Sequence, residues 1–288
     1  MPMIKKNLLR HLFPTKTPKF LYHYTNSTGM KGIIESGKIW TTKIQYLNDK
    51  SEFRLAFSYL QDEIEKEIKK GNAKKTKQEL KDMLHALEGN DMLNVAVISF
   101  SEVGDQLSQW RGYTQIGDGY ALGFNGQILR EVMELNKDYT DSYLLPCVYT
   151  EKEQRALIRR RINLSTTEYH YAKGRYFKKN EIRSNPSFEY SSVVLAALIK
   201  SDGFKEEKEW RFIYQGDTEK GKLSAGKHSL IPYWELNLNL NKTLKKILVG
   251  PTPEPELSCE AVWDLLVQKG LTKLTQHITS SKVPYRVV

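Results

Sequence analysis

The run Glu206-Glu207-Lys208-Glu209-Trp210-Arg211-Phe212-Ile213-Tyr214 carries the spacing with the most chemical potential in the chain. Side chains alternate along a strand. Trp210, Phe212 and Tyr214 therefore read as a core face, and Glu207, Glu209 and Arg211 share the other. Two carboxylates and a guanidinium in a row can be a surface ion-pair ladder. They can also line a cleft, with the arginine keeping one carboxylate ionised while the other takes a hydrogen bond from a substrate hydroxyl. His23 is the second candidate, in Phe20-Leu21-Tyr22-His23-Tyr24-Thr25. The same alternation sets Leu21, His23 and Thr25 on one face and Tyr22 and Tyr24 on the other. A lone strand histidine is more often a satisfied core residue than a ligand. The third candidate is Gln109-Trp110-Arg111-Gly112-Tyr113, which lies between Ile98-Ser99-Phe100-Ser101-Glu102 and Gly117-Asp118-Gly119. Aromatics and an arginine in such a loop suit stacking on a flat ring and contact with phosphate. The plainer reading has Trp110 and Tyr113 plugging into the core.

These residues need elements to hold them. Phe20–Thr25 reads as a strand, Asn26 or Ser27 as the N-cap of a short helix, and Gly37 as its C′ residue. Lys38–Thr42 returns as a strand, so His23 sits at a strand–helix–strand corner. A helix after Tyr46–Glu52 carries Phe53, Phe57, Leu60, Ile64 and Ile68 on one face. The charged stretch Gln61–Lys81 reads as a solvent-facing helical hairpin, with Leu80, Met83, Leu84 and Leu87 on its second helix. Strands are expected at Leu93–Ser101, Gly119–Phe124, Leu144–Tyr149, Lys208–Tyr214, Trp234–Leu240 and Lys246–Gly250. Val283–Val288 is expected to close the sheet. Glu102–Asp118 reads as a loop, and helices are expected at Glu151–Ile162, Tyr190–Ile199 and Ala261–Lys269. Strands among helices of unequal length predict an α+β fold. Its organisation reads as a basic N-terminal extension over residues 1–18 and one domain over 19–288, with a helical insertion at about 51–90.

Bulk properties narrow the function classes. The 288 residues are 40% hydrophobic and include 16 Tyr, 10 Phe and 5 Trp, too aromatic for a disordered chain. Cys147 and Cys259 are the only cysteines and form no CxxC, which excludes a disulfide scaffold and argues against a thiolate zinc site. No metal is predicted. No apolar run reaches the length of a membrane span, and the basic start lacks the features of a secretory signal. The expected setting is a reduced cytoplasm, with no membrane partner. A net charge of +10 and a pI near 9.3 favour anionic partners. P-loop, HExxH, GxSxG and EF-hand motifs are absent. The glycines around Gly117-Asp118-Gly119 fail the dinucleotide fingerprint, and a strand follows them.

Two resemblances follow from these motifs. Tyr22-His23-Tyr24-Thr25, Leu47-Asn48-Asp49 with Glu52, Phe100-Ser101, Trp110-x-x-Tyr113, Gly119…Phe124 and Glu207-x-Glu209-x-Arg211 together resemble a large bacterial domain-of-unknown-function family, over roughly Lys19–Tyr214. Tyr22-His23-x-Thr25 followed by Gly32-Ile33-Ile34-x-x-Gly37 is similar to the opening of ADP-ribosyltransferases of the diphtheria-toxin and poly(ADP-ribose) polymerase type. That second resemblance implies a mixed, mostly antiparallel split sheet with flanking helices, and NAD as co-substrate. It implies His23 on a ribose with Tyr24 beside it, Thr25 edging the nicotinamide pocket, and Trp40 or Tyr46 stacking on nicotinamide. Glu209 or Glu207 would be the catalytic glutamate, and Arg111 or Arg211 would hold pyrophosphate. Ser101, Trp110 and Tyr113 complete the expected nucleotide site. The implied reaction transfers ADP-ribose to a protein, a nucleic acid or water, as in a toxin or phage-defence effector. The alternative is a non-catalytic nucleotide or nucleic-acid binding module using the basic surface with Trp110 and Tyr113. A nuclease holding Mg²⁺ on Asp49, Glu52, Glu207 and Glu209 is a third reading.

Overall fold

The computed structural model describes residues 16–46, 50–71, 80–81, 95–114, 117–134, 142–173, 186–216, 218–226 and 229–284, with only the main chain for 50–53, 164–173 and 186–190. Capping fixes the first turn as the sequence predicts. Strand β1 (Phe20–Thr25) leads into α1 (Ser27–Ser36), where the Asn26 side chain accepts from the Gly29 N–H at 2.9 Å and Gly37 ends the helix at φ 67°. Strand β2 (Lys38–Lys43) follows, then α2 (Lys50–Lys70) and β3 (Val95–Ser101). The second helix expected around Met83, Leu84 and Leu87 lies outside the described residues, as do Leu47, Asn48, Asp49 and Leu93.

The expected loop Glu102–Asp118 contains a helix, α3 (Leu107–Tyr113). It is followed by β4 (Tyr120–Asn125), α4 (Gly126–Glu134) and β5 (Tyr143–Pro146). Helix α5 (Glu151–Lys173) runs well past Ile162, and α6 spans Pro186–Ala196. Strands β6 (Glu209–Gln215), β7 (Lys222–Ala225), β8 (Leu230–Asn237) and β9 (Leu244–Val249) precede α7 (Pro255–Gln268) and β10 (Ile278–Ser280). Of the strand expected at Val283–Val288, Val283 and Pro284 are not in a strand and residues 285–288 lie outside the described set; the edge strand at this end of the sheet is β10.

The architecture is α+β, with one largely antiparallel ten-stranded sheet flanked by helices. Its path runs β10-β9-β4-β1-β3-β2-β8-β7, with β6 and β5 added on the other edge of β3. On one face α1, α4 and α7 bury Leu21, Phe100, Phe124, Phe212 and Leu266. On the other, α5 and α6 cover β3, β5 and β6 through Val97, Leu145, Val194 and Ile213. Helix α2 is not a solvent-facing element: Ala56, Leu60 and Ile64 are fully buried beside Ile158 and Ala196, because its apolar stripe has α5 and α6 to pack against.

The sheet divides at β3. The first strand touches its C-terminal end, at Tyr22↔Ser101, and β2 touches its N-terminal part, at Thr42↔Val97 and Lys43↔Ala96. Both use the same edge, because β6 pairs with β3 along its whole length from Val95↔Gln215 to Ser101↔Glu209. Between the two wings Ile98, Ser99 and Phe100 have no strand opposite, an opening of about 10 Å at the usual rise per residue.

Candidate functional site: a cleft at the fork of the sheet

The fork opens into a cavity of about 190 Å³. An exposed strand edge presents unpaired backbone groups, and His23 meets one of them. Its Nδ1 lies 3.0 Å from the Ser99 carbonyl. A carbonyl only accepts, so Nδ1 carries the proton and Nε2 of the neutral ring is an acceptor. Burial lowers the His23 pKa by more than the Ser99 bond raises it, so the ring is neutral at pH 7. Nε2 has no hydrogen-bond partner among the described residues. In an antiparallel strand one residue's N–H and C=O leave from the same edge, so the Ser99 N–H also faces the gap.

Charges form the wall opposite β1. Glu207 ends a short 3₁₀ turn (Asp202–Glu207), and Glu209 begins β6. Strand alternation alone therefore does not align them. Lys208 between them takes a left-handed conformation at φ 42°, and through that reversal both carboxylates line the cleft. A non-glycine residue held there is strained. Lys200 sits between the two acids, 2.5 Å from Glu207 Oε2 and 2.6 Å from Glu209 Oε2. Arg211 completes the set, with Nε 2.7 Å from Glu209 Oε1 and Nη2 3.1 Å from Oε2. Another Arg211 nitrogen donates to the Ala197 carbonyl at 2.7 Å. The Tyr113 hydroxyl donates to Glu207 Oε2 at 3.2 Å, and the Glu209 N–H donates to the Tyr149 hydroxyl at 2.7 Å. Burial pushes the Glu209 carboxyl up, but Arg211 and Lys200 outweigh it and hold the group at about 2. The same carboxylates, above all Glu209, keep Lys200 charged against its own burial. The quartet is two cations and two anions, neutral as a set, and buried.

Neutral contacts form the other wall. Tyr24 donates to the Val103 carbonyl at 2.8 Å and meets Trp110 edge-on at 4.6 Å between ring centres. Trp110 donates to Asp105 at 2.9 Å, and Asp105 also takes the Ser281 hydroxyl at 2.5 Å. The Tyr22 ring lies so close to Gly104 that a Cβ there would come within 2.5 Å of it, so that position requires glycine. Helix α3 closes the cleft with Gln109 and Tyr113.

The structure thus brings together His23, Tyr24, Trp40, Ser101, Tyr113, Glu207 and Glu209. Trp40 stacks on Tyr233 at 4.1 Å and stays half exposed at the rim. Tyr46, the other proposed stacking ring, lies on the surface outside the cleft. Ser101 lines it, but its hydroxyl is taken up by the Glu207 carbonyl at 2.7 Å and the Val103 N–H at 3.0 Å. Four further expected residues are not presented to the cleft. Thr25 packs over Gly29, where a Cβ would sit 2.0 Å from its hydroxyl. Trp110 is 4% exposed and cannot stack on a ligand, because α3 turns it onto Tyr24. Arg111 faces solvent on α3, and Arg211 is buried on Glu209. For the nuclease reading, Asp49 and the Glu52 side chain lie outside the described residues, and Glu207 and Glu209 are engaged by Lys200 and Arg211. Among the described residues, no three His, Cys, Asp or Glu side chains gather as metal ligands.

Lys200 is the residue that sequence reasoning missed, and Gln109, the first residue of the third candidate run, was given no role of its own. Lys200 ends the run Val193–Ile199, and a charge closing an apolar segment was the available signal. It is held in place through its backbone: its N–H donates to the Val148 carbonyl at 3.0 Å and its own carbonyl accepts from Gln154 at 2.8 Å.

Residues 109–212 match the family model described as Protein of unknown function (DUF2971), so the expected domain-of-unknown-function family is found over that span. The span contains Gln109, Tyr113, Lys200 and the Glu-x-Glu-x-Arg run, and leaves out β1 and β3. No curated protein and no solved structure matches the chain. Among the described residues no helix is long and apolar enough to cross a membrane.

Proposed function

We propose that the fork cleft takes the nicotinamide–ribose part of NAD and that the protein is an NAD-consuming enzyme of ADP-ribosyltransferase type. One observation carries this reading: the free acceptor Nε2 of His23 and the carboxylate of Glu207 line the same cleft. Ribose hydroxyls are donors that suit both. A cavity of about 190 Å³ suits one ring and its sugar, below the range of about 300–1,000 Å³ typical for larger ligands, so the rest of the dinucleotide would lie along the surface.

In the reaction the bond between ribose C1′ and the nicotinamide nitrogen breaks. Its electron pair leaves with neutral nicotinamide, and positive charge develops on the sugar as in glycoside cleavage. Glu207 is the better placed carboxylate to stabilise it. Its Oε1 has no partner among the described residues, whereas Glu209 is gripped at both oxygens. Glu209, Lys200 and Arg211 hold Glu207 in place, a preorganised arrangement of the kind that dominates many rate enhancements. The acceptor is water or a nucleophile on a protein or nucleic acid, which then loses its proton. The overall charge of +10 favours an acidic partner. Such an enzyme fits a cytoplasmic toxin or phage-defence effector.

A second reading has its own support. Three charge-assisted hydrogen bonds to Glu209 make a stable scaffold as readily as a reactive site, and a non-catalytic nucleotide module would need no more. Nicotinamide release separates the two. The enzyme reading expects release by wild type and a loss of about 10²-fold or more in Glu207→Gln. Equal release by both proteins would sink it. NAD binding without release, abolished in His23→Ala, would select the binding module.

A further inference from the structure

We infer that Gln109 sets the ligand specificity of the cleft by pairing its side-chain amide with a carboxamide on the bound ring. The inference rests on the nucleotide-cleft reading above. Gln109 stands in the first turns of α3, is 5% exposed, and lines the cleft. Its amide has no hydrogen-bond partner among the described residues. Three of the donors around the cleft are already committed elsewhere: Trp110 donates to Asp105, Tyr24 to Val103, and Tyr113 to Glu207.

Buried amides are nearly always paired, because leaving both donor and acceptor unfilled costs free energy. An amide left unfilled beside a cavity is therefore matched to what enters it. A primary amide presents C=O and N–H side by side in one plane. Its complement is a second primary amide, bound through two parallel hydrogen bonds. A carboxylate offers acceptors only and sets its charge against the Gln109 oxygen. Nicotinamide and nicotinate differ in this group alone, which makes them the natural probes.

The test titrates the full-length protein with nicotinamide, nicotinate and ADP-ribose, for wild type and Gln109→Leu, by calorimetry. Wild type is expected to bind nicotinamide at least about tenfold more tightly than nicotinate. Gln109→Leu is expected to weaken nicotinamide about tenfold, while ADP-ribose, which lacks the carboxamide, binds unchanged. Its urea midpoint should be equal or higher, since leucine of similar size replaces an unpaired polar group. A residue with only a structural role would instead lower the midpoint. Equal binding of nicotinamide and nicotinate overturns the inference. So does an equal loss of nicotinamide and ADP-ribose in the variant, or no change in either. If ADP-ribose binds but nicotinamide affinity ignores Gln109, the inference fails and the nucleotide cleft stands. If NAD, ADP-ribose and nicotinamide all fail to bind, both fall.

Discussion

The two walls of the cleft are built on opposite physical principles. The β1–α3 wall is held by uncharged donors and ring contacts rather than by ion pairs: a histidine on a carbonyl, a tyrosine on a carbonyl, an edge-on Tyr24–Trp110 pair and a glycine that admits Tyr22. The β6 wall is ionic, with Lys200 and Arg211 clamping Glu207 and Glu209. A neutral wall depends on shape and loses a modest amount with each contact. An ionic wall in the interior depends on completeness, because each charge is tolerable only while its counter-charge remains. The fork thus joins a graded wall to an all-or-none one.

The largest effect is expected at Lys200. Lys200→Met leaves two carboxylates without their shared cation and is expected to cost about 3–5 kcal/mol in urea unfolding. Adding Glu209→Gln should recover part of that loss. If the double variant is no more stable than the single one, the quartet is not a coupled unit.

Acid distinguishes the walls next. On the ionic wall the folded Glu209 carboxyl sits at about 2, below its ordinary 4.5. Its contribution is therefore full above the ordinary value and is lost as pH falls from there towards the folded value. On the neutral wall His23 is lowered from 6.5, so below that pH the unfolded chain takes the proton more readily and stability declines. Urea midpoints against pH should fall in two stages. His23→Gln should remove the first stage and Glu209→Gln the second.

Smaller effects belong to the neutral wall alone. Gly104→Ala drives a Cβ to 2.5 Å from the Tyr22 ring and is expected to cost about 1–3 kcal/mol, relieved when Tyr22→Ala is added. Tyr24→Phe removes one hydrogen bond to Val103 and is expected to cost about 1 kcal/mol, with the Val103 carbonyl regaining part of that from water. A loss from Tyr24→Phe as large as that from Lys200→Met would erase the distinction between the walls.

Local rules made much of this legible. Asn26 and Gly37 bound α1 as their cap chemistry requires, and the alternation at Trp210–Tyr214 placed the core face of β6 correctly. Helix α3 was hidden because its seven residues include Gly112 and begin without a capping side-chain bond, so its local signal is weak. Trp110 and Tyr113 looked equivalent in the loop reading. In the structure their contacts differ: Trp110 packs edge-on against Tyr24, and the Tyr113 hydroxyl reaches Glu207.

The sequence by itself determined most element types, though not those of α3 or β7, together with the α+β class and the residue classes available for chemistry, because periodicity and capping act over a few residues. Only the tertiary structure decided that β1 and β2 share one edge of β3, that Lys200 reaches across to Glu207 and Glu209, and that Gln109 is left with an unfilled amide. Those outcomes depend on which segments, dozens of residues apart, end up side by side. Strand pairing and buried charge compensation are settled by the whole fold rather than by neighbours in the chain.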